Sequence, residues 1–116
     1  MLEHRILAEK VKSTLARAGL PIAATFDDAL SCGVYLEIED AERLPPEVFL
    51  KWRVHPMVNE HFKHVPIDRL LSDPQVRELK NTERAMNTAI IAILEFSGFS
   101  ARVLKEERVG EILVSE

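Results

Sequence analysis

Apolar side chains recur along the chain with two different periods, and the change of period predicts where helices and strands lie. Residues 2–18 have apolar side chains at helical spacing and are followed by Gly19, which predicts an N-terminal helix. A capping-box pattern predicts a short helix over residues 26–31. Residues 33–39 and 48–55 alternate apolar and polar side chains, which predicts two half-buried strands.

A single long helix is predicted for the second half of the chain. Asp73 and Pro74 form a strong helix start, because an N-cap residue precedes a proline at the first helical position. We expect the helix to run to about Ser97 and to end at Gly98. Three shorter elements are also predicted, namely a helix over 57–65 and strands over 101–105 and 109–114.

This order of elements predicts one α+β domain that covers residues 1–116. The simplest arrangement is an antiparallel sheet of about four strands, with the N-terminal helix and the long helix packed on one of its faces. A length of 116 residues suits a single domain of this kind. One register consistent with the pattern of the first two strands places Leu36 opposite Trp52, with both side chains in the core.

The long helix is more apolar than packing on one sheet requires. In the segment 85–99 the apolar side chains are spread over several faces of the helix rather than confined to one stripe. A small two-layer domain covers only one of those faces, so the others predict contact with a terminal segment, a ligand or another subunit. We expect a homo-oligomer whose interface includes Ile91, Ala92, Phe96 and Phe99.

Basic side chains on the outer face of the second strand form a candidate binding surface. This set, completed by an aromatic residue and a lysine further along, consists of Phe49, Lys51, Arg53, His55 and Lys63. It offers cations for an anion or a nucleic acid and a ring for base stacking. The alternative is structural, because the register given above sets Glu37 opposite Lys51 and Tyr35 opposite Arg53 and so neutralises the stripe within the sheet. The charge complementarity favours the structural interpretation.

Three histidines and a glutamate near the end of the second strand form another candidate cluster. These residues are His55, Glu60, His61 and His64. His61 and His64 are three residues apart, so on a helix they share a face and offer two metal ligands. The spacing matches no specific metal motif, and we expect neither a bound metal nor a cofactor. We expect His61 to be partly buried and Glu60 to pair with His64 on the solvent side.

Composition narrows the range of functions. Apolar residues make up 47% of the chain and charged residues 29%, a balance typical of a globular protein. No run approaches the roughly 20 apolar residues that a membrane-spanning helix needs. The net charge of −4 disfavours general attraction to nucleic acid or anionic lipid. Cys32 is the sole cysteine and the N-terminus does not resemble a signal peptide, so we expect a cytoplasmic protein without an intramolecular disulfide.

The sequence contains no motif for nucleophilic catalysis, phosphate binding or dinucleotide binding, so an enzyme is not the favoured interpretation. It favours a small non-catalytic protein-interaction module that acts as a homo-oligomer and binds a protein partner. Two alternatives stay open. One is a nucleic-acid or small-anion binding domain that uses the strand face of Lys51, Arg53 and His55. The other is a small metal-dependent enzyme that uses His55, His61 and His64.

Overall fold

A four-stranded antiparallel sheet with helices packed on one face forms the framework of the chain. The structure is a computed structural model, and it describes residues 2–23, 32–39, 42, 44–54 and 56–116. The elements are the helices α1 (Leu2–Arg17), α2 (Pro56–Lys63) and α3 (Pro74–Phe96), and the strands β1 (Gly33–Glu37), β2 (Val48–Arg53), β3 (Ser100–Val103) and β4 (Ile112–Ser115). The strand order is β1-β2-β4-β3, and every neighbouring pair is antiparallel. This arrangement confirms the predicted α+β fold.

The long helix α3 begins and ends where the local sequence favours it. The carboxylate oxygen Oδ1 of Asp73 accepts hydrogen bonds from the backbone N–H groups of Gln75 and Val76, each at 3.0 Å. Pro74 occupies the first turn, where its missing N–H leaves no helical hydrogen bond unmade. At the other end Gly98 has a φ of +94°, which lets the chain turn from α3 directly into β3.

Alternation along the strands gives the sheet one apolar face, and that face carries the core. The buried strand side chains on it are Val34, Val48, Leu50, Ala101, Ile112 and Val114. Helices α1 and α3 cover this face with one apolar stripe each, formed by Leu7, Val11, Leu15, Ile90 and Leu94. Removing these stripes from water is the main force that holds the helices on the sheet.

The ladder between β1 and β2 differs from the expected register by two residues. Leu36 lies opposite Leu50, and Trp52 lies opposite Val34, so the predicted pair of Leu36 and Trp52 is wrong. A shift of two residues keeps every side chain on its predicted face, because facing alternates with a period of two. The alternation in the sequence therefore determines the buried face but leaves the offset between the strands open.

Residues 21–23 run beside the start of β1 and require a glycine there. The N–H of Val34 donates to the carbonyl of Pro21 at 2.9 Å, and the N–H of Ala23 donates to the carbonyl of Val34 at 2.8 Å. Gly33 has a φ of +112°, and a Cβ placed on it would lie 2.2 Å from the carbonyl oxygen of Pro21. Any side chain at this position would push the two segments apart.

The predicted elements that fall on described residues agree with the structure to within a few residues at their ends. The predicted helix over 26–31 lies outside the described residues, as does His55. In the described ranges, no helix combines the length and apolar character needed to cross a membrane.

Replacing Leu94 by alanine should destabilise the chain by about 2–5 kcal/mol, because Leu94 is fully buried in the core beneath α3. The free energy of unfolding from chemical denaturation measures this loss. Leu71→Ala is the control, since Leu71 is 79% exposed, and it should lose less than about 0.5 kcal/mol. Equal losses in the two variants would contradict the core described above.

Candidate interaction surfaces

The face of the sheet opposite α1 and α3, which we call the open face, carries part of the predicted basic surface. Phe49, Lys51 and Arg53 alternate with core residues along β2 and lie on this face. Lys63 lies instead on α2, where its Nζ atom is 2.9 Å from Oε1 of Glu60. The open face thus brings Phe49, Lys51 and Arg53 together and leaves Lys63 apart.

An arginine that the sequence analysis did not single out lies on this open face. The guanidinium carbon of Arg108 is 4.3 Å from the centroid of the Phe49 ring. Nη2 is 3.1 Å from Oε1 of Glu37, Nε is 3.2 Å from Oε2 of Glu39, and Nη1 is 2.9 Å from Oε1 of Glu111. Hydrogen bonding to Glu37 is the main cause that raises the pKa of Arg108 above its ordinary value. One face of the Phe49 ring is therefore covered by a cation of the same chain.

The predicted pairing of Lys51 with Glu37 is wrong, because the ion-pair partner of Glu37 is Arg108. In the observed register Lys51 lies opposite Tyr35, a position that the expected register gave to Arg53. The cause is long-range: Arg108 lies between β3 and β4 and is 71 residues from Glu37 along the chain. No local pattern in β1 and β2 reveals such a contact.

His61 joins α2 to the start of α3. Its Nε2 atom lies 3.0 Å from Oδ1 of Asp73, the same oxygen that caps α3. The hydrogen bond with His61, followed by the one from the N–H of Val76, lowers the pKa of Asp73 below its ordinary value. The His61 side chain is 31% exposed, which confirms the prediction that it is partly buried.

The other members of the histidine cluster have different surroundings. The ion-pair partner of Glu60 is Lys63, whereas the expected partner His64 makes only the smallest contribution to the lowered pKa of Glu60. Hydrogen bonding to Lys63 is the main cause that lowers the pKa of Glu60. His64 is exposed. Within the part of the chain that the structure describes, no group of three or more His, Cys, Asp or Glu side chains is placed to hold a metal ion.

A cleft lies between the first turns of α3 and the ends of β1 and β2. Trp52 lines it; the side chain packs against the core on the expected face but is only half-buried. The reason is that β4 pairs with β2 only as far as Leu50, so Trp52 lies beyond the centre of the sheet. Cys32 is half-buried on the wall of the same cleft.

A second concave surface, which we call the α1/α3 groove, lies between the C-terminal turns of α1 and α3. Its lining residues are Thr14, Arg17, Ala18, Ala92, Ile93, Phe96 and Ser97. Phe96 is 94% exposed, the highest value among the described large apolar side chains. Of the other predicted interface residues, Ala92 is exposed, whereas Ile91 and Phe99 are partly buried against the core. The excess apolar surface of α3 is therefore concentrated at Ala92 and Phe96.

No family model matches the chain, and no curated protein or solved structure matches it.

Arg108 is the residue of these surfaces that the sequence pattern missed. It lies between β3 and β4, in the gap between the strands predicted over 101–105 and 109–114. Its φ of +56° is uncommon for a residue other than glycine, and the pattern of apolar and polar residues does not predict it. One signal was available, since Arg108 is the sole cation in the acidic stretch 106–111.

The ion pair between Glu37 and Arg108 should show an energetic coupling that Glu37 and Lys51 lack. In a double-mutant cycle of Glu37→Gln with Arg108→Gln, we expect a coupling of about 1 kcal/mol in the free energy of unfolding. The matched cycle of Glu37→Gln with Lys51→Gln should give a coupling near zero. Chemical denaturation measures both cycles, and equal couplings would refute the observed pairing.

The carboxylate of Asp73 should stabilise the protein at neutral pH and stop doing so in acid. Its pKa is lower in the folded chain than in the unfolded one, so the stabilisation is complete above the ordinary aspartate pKa of about 3.9 and is lost as the pH falls through the lowered value. Asp73→Asn keeps a capping side chain without the charge. Its melting temperature should lie below that of the wild type at neutral pH and approach it in acid.

Asp68→Asn is the control for this experiment, because Asp68 is an exposed carboxylate in the turn just before α3. Its melting temperature should follow that of the wild type at every pH. If the melting temperature of Asp73→Asn lies below that of the wild type by the same amount from neutral pH to acid, the charge of Asp73 does not contribute to stability.

Proposed function

We propose that this chain is a small non-catalytic protein-interaction module that acts as a homodimer through the α1/α3 groove. The observation that carries the proposal is the 94% exposure of Phe96 at the edge of a groove that contains two alanines. Burying an aromatic side chain removes about 150–250 Å² of surface from water. Burying the Phe96 side chain against a partner surface would contribute about 1.5–3 kcal/mol of favourable free energy that the single chain lacks.

The occupant that we assign to the groove is Phe96 of a second copy. Phe96 projects beside a depression whose walls include the small side chains of Ala18 and Ala92. A protruding ring and a receptive depression on one patch form a self-complementary surface. A two-fold axis through this patch inserts each Phe96 into the groove of the other copy, the geometry of an isologous dimer.

Charge at the edge of the groove supports the same pairing. Arg17 lines the groove, and Glu95 precedes Phe96 on α3. Neither Arg17 nor Glu95 forms an ion pair with another residue in the described ranges. The two-fold arrangement brings Arg17 of one copy towards Glu95 of the other, which adds attraction of opposite charges at the rim of the interface.

The apolar surface extends beyond the groove along α1. Leu2 and Ile6 are 67% and 47% exposed. Ile6 precedes Arg17 by eleven residues, which is close to three helical turns, so both lie on the same side of α1. A dimer interface that includes this side of α1 can bury a total surface area close to the roughly 1,200–2,000 Å² of stable interfaces.

The alternative functions receive less support from the geometry. On the open face, Arg108 covers one side of the Phe49 ring, and the surrounding carboxylates of Glu37 and Glu39 repel a phosphate backbone. In the histidine cluster, His61 is engaged with Asp73. The single cysteine of the chain fits a reducing compartment, so we assign the module to the cytoplasm.

Phe96→Gln should weaken the dimer by about 100-fold or more, because the symmetric interface loses two buried rings at once. Sedimentation equilibrium across micromolar concentrations measures the dissociation constant, and the wild type should weigh twice 13.2 kDa. Leu71→Gln is the matched control, because Leu71 is also exposed but lies near the opposite end of α3. It should dimerise like the wild type.

A wild type that stays a 13.2 kDa monomer would overturn the proposal. So would equal weakening by Phe96→Gln and Leu71→Gln. A charge exchange tests the two-fold arrangement separately: Arg17→Glu should weaken the dimer, and adding Glu95→Arg to the same chain should restore part of the affinity. Circular dichroism spectra of all variants should match that of the wild type, since the substituted side chains are exposed in the single chain.

A further inference from the structure

The contacts of Arg108 involve all three nitrogens of its guanidinium group and one of its flat faces. Nη1 and Nη2 approach the two oxygens of Glu37 at 3.3 and 3.1 Å. Nε contacts Glu39 at 3.2 Å, Nη1 also contacts Glu111 at 2.9 Å, and the Phe49 ring lies against the guanidinium. A carboxylate that binds two nitrogens, combined with an aromatic platform, distinguishes arginine from lysine.

Half of this site belongs to strands of the sheet, and the other half lies directly beside strand ends. We call the site the guanidinium cage; it consists of Glu37, Glu39, Phe49 and Glu111. Glu37 and Phe49 lie directly opposite each other in the ladder of β1 and β2. Glu111 directly precedes β4, and its carbonyl accepts a hydrogen bond from the N–H of Leu104 at 2.8 Å. Backbone hydrogen bonds therefore fix the Glu37 and Phe49 positions through the sheet and the Glu111 position through Leu104, none of which uses the Arg108 side chain.

The cage has more negative charge than its occupant neutralises. Among the described residues, the ion pairs of Glu37, Glu39 and Glu111 share a single guanidinium, which leaves a net negative charge on this group. A cleft of about 810 Å³ continues from the cage along the open face, and its charged lining includes Glu47, Glu106, Glu107, Arg102 and Lys105. The uncompensated charge attracts a further cation, and the cleft has room for the backbone that carries it.

The occupant is held in a backbone conformation that suits glycine better than arginine. Arg108 has a φ of +56°, in the left-handed region. Gly110, two residues on, has a φ of +86°. The side chain of Val109 between them is 72% exposed, so it adds little packing. Backbone hydrogen bonds between Leu104 and both Gly110 and Glu111 hold the ends of this loop, and the contacts of the Arg108 side chain add an attachment to the open face.

We propose that the guanidinium cage is a binding site for an arginine side chain of another polypeptide, and that Arg108 occupies it as an autoinhibitory plug. The seated guanidinium and the aromatic platform define the ligand chemistry, and the surplus carboxylates favour a basic segment. The incoming arginine displaces the Arg108 side chain from the open face. The cage lies on the side of the sheet opposite the α1/α3 groove, so it does not depend on the proposed dimer.

Arg108→Gly is the variant that tests the cage, because it removes the plug and places glycine where the backbone favours it. The probes are N-acetyl-arginine amide and N-acetyl-lysine amide, and calorimetry measures their binding. The arginine probe should bind this variant at least tenfold more tightly than it binds the wild type, in which Arg108 competes. The lysine probe should bind it several-fold more weakly than the arginine probe, because an ammonium makes neither the paired contact nor the flat stacking contact.

Two further variants locate the binding. Adding Glu37→Gln to Arg108→Gly should weaken the arginine probe at least tenfold, because the paired contact is lost. Arg102→Ala is the matched control: it removes a positive charge from the same cleft but leaves the plug in place. Its affinity for the arginine probe should remain that of the wild type.

Absence of saturable binding to folded Arg108→Gly would overturn the proposal and leave Arg108 as a structural clamp. Equal affinity in Arg108→Gly and the wild type, or in Arg108→Gly and Arg102→Ala, would overturn it as well. If Arg108→Gly is unfolded, its melting transition in the presence of each probe decides: restoration by the arginine probe but not the lysine probe supports the cage, and restoration by neither refutes it.

Discussion

The packing of α3 across the apolar face of the sheet is the interaction on which the rest of the structure depends. Its buried residues Ile90 and Leu94 belong to the same core as the strands, and the chain turns from its end directly into β3. At its start, the capping carboxylate of Asp73 also receives His61 and so fixes α2. One helix therefore sets the position of the edge strand at one end and of the short helix at the other.

Local sequence pattern predicted this framework because the framework follows from local rules. The parity of Val34 and Leu50 is enough to assign the buried face of two strands, and Asp73 followed by a proline is enough to start α3. The offset between β1 and β2 was not predictable in this way, since two registers of equal parity bury the same side chains. The burial of Trp52 was overestimated for a related reason: the alternation of inward and outward side chains does not indicate where the neighbouring strand β4 ends.

The two candidate surfaces differ in how far the sequence revealed them. The position of Phe96 outside the core was predicted, because an excess of apolar residues in a helix is a local property that can be read from spacing alone. The role of Phe49 was only half predicted: its strand face was correct, but the cation that covers it comes from a loop near the other end of the chain. A contact between residues 37 and 108 depends on the whole topology, because β4 must first lie beside β2.

The segment at residues 21–23 also has a consequence for aggregation. Endless growth of a sheet from chain to chain needs two usable edges on every molecule. At the β1 edge, the outward-facing amide and carbonyl of Val34 are already bonded within the chain, and the close approach at Gly33 keeps that segment in place. The start of the β1 edge is therefore blocked within the described chain. A second copy that added a strand alongside β1 would first have to displace residues 21–23, so this segment opposes edge-to-edge growth on that side of the sheet.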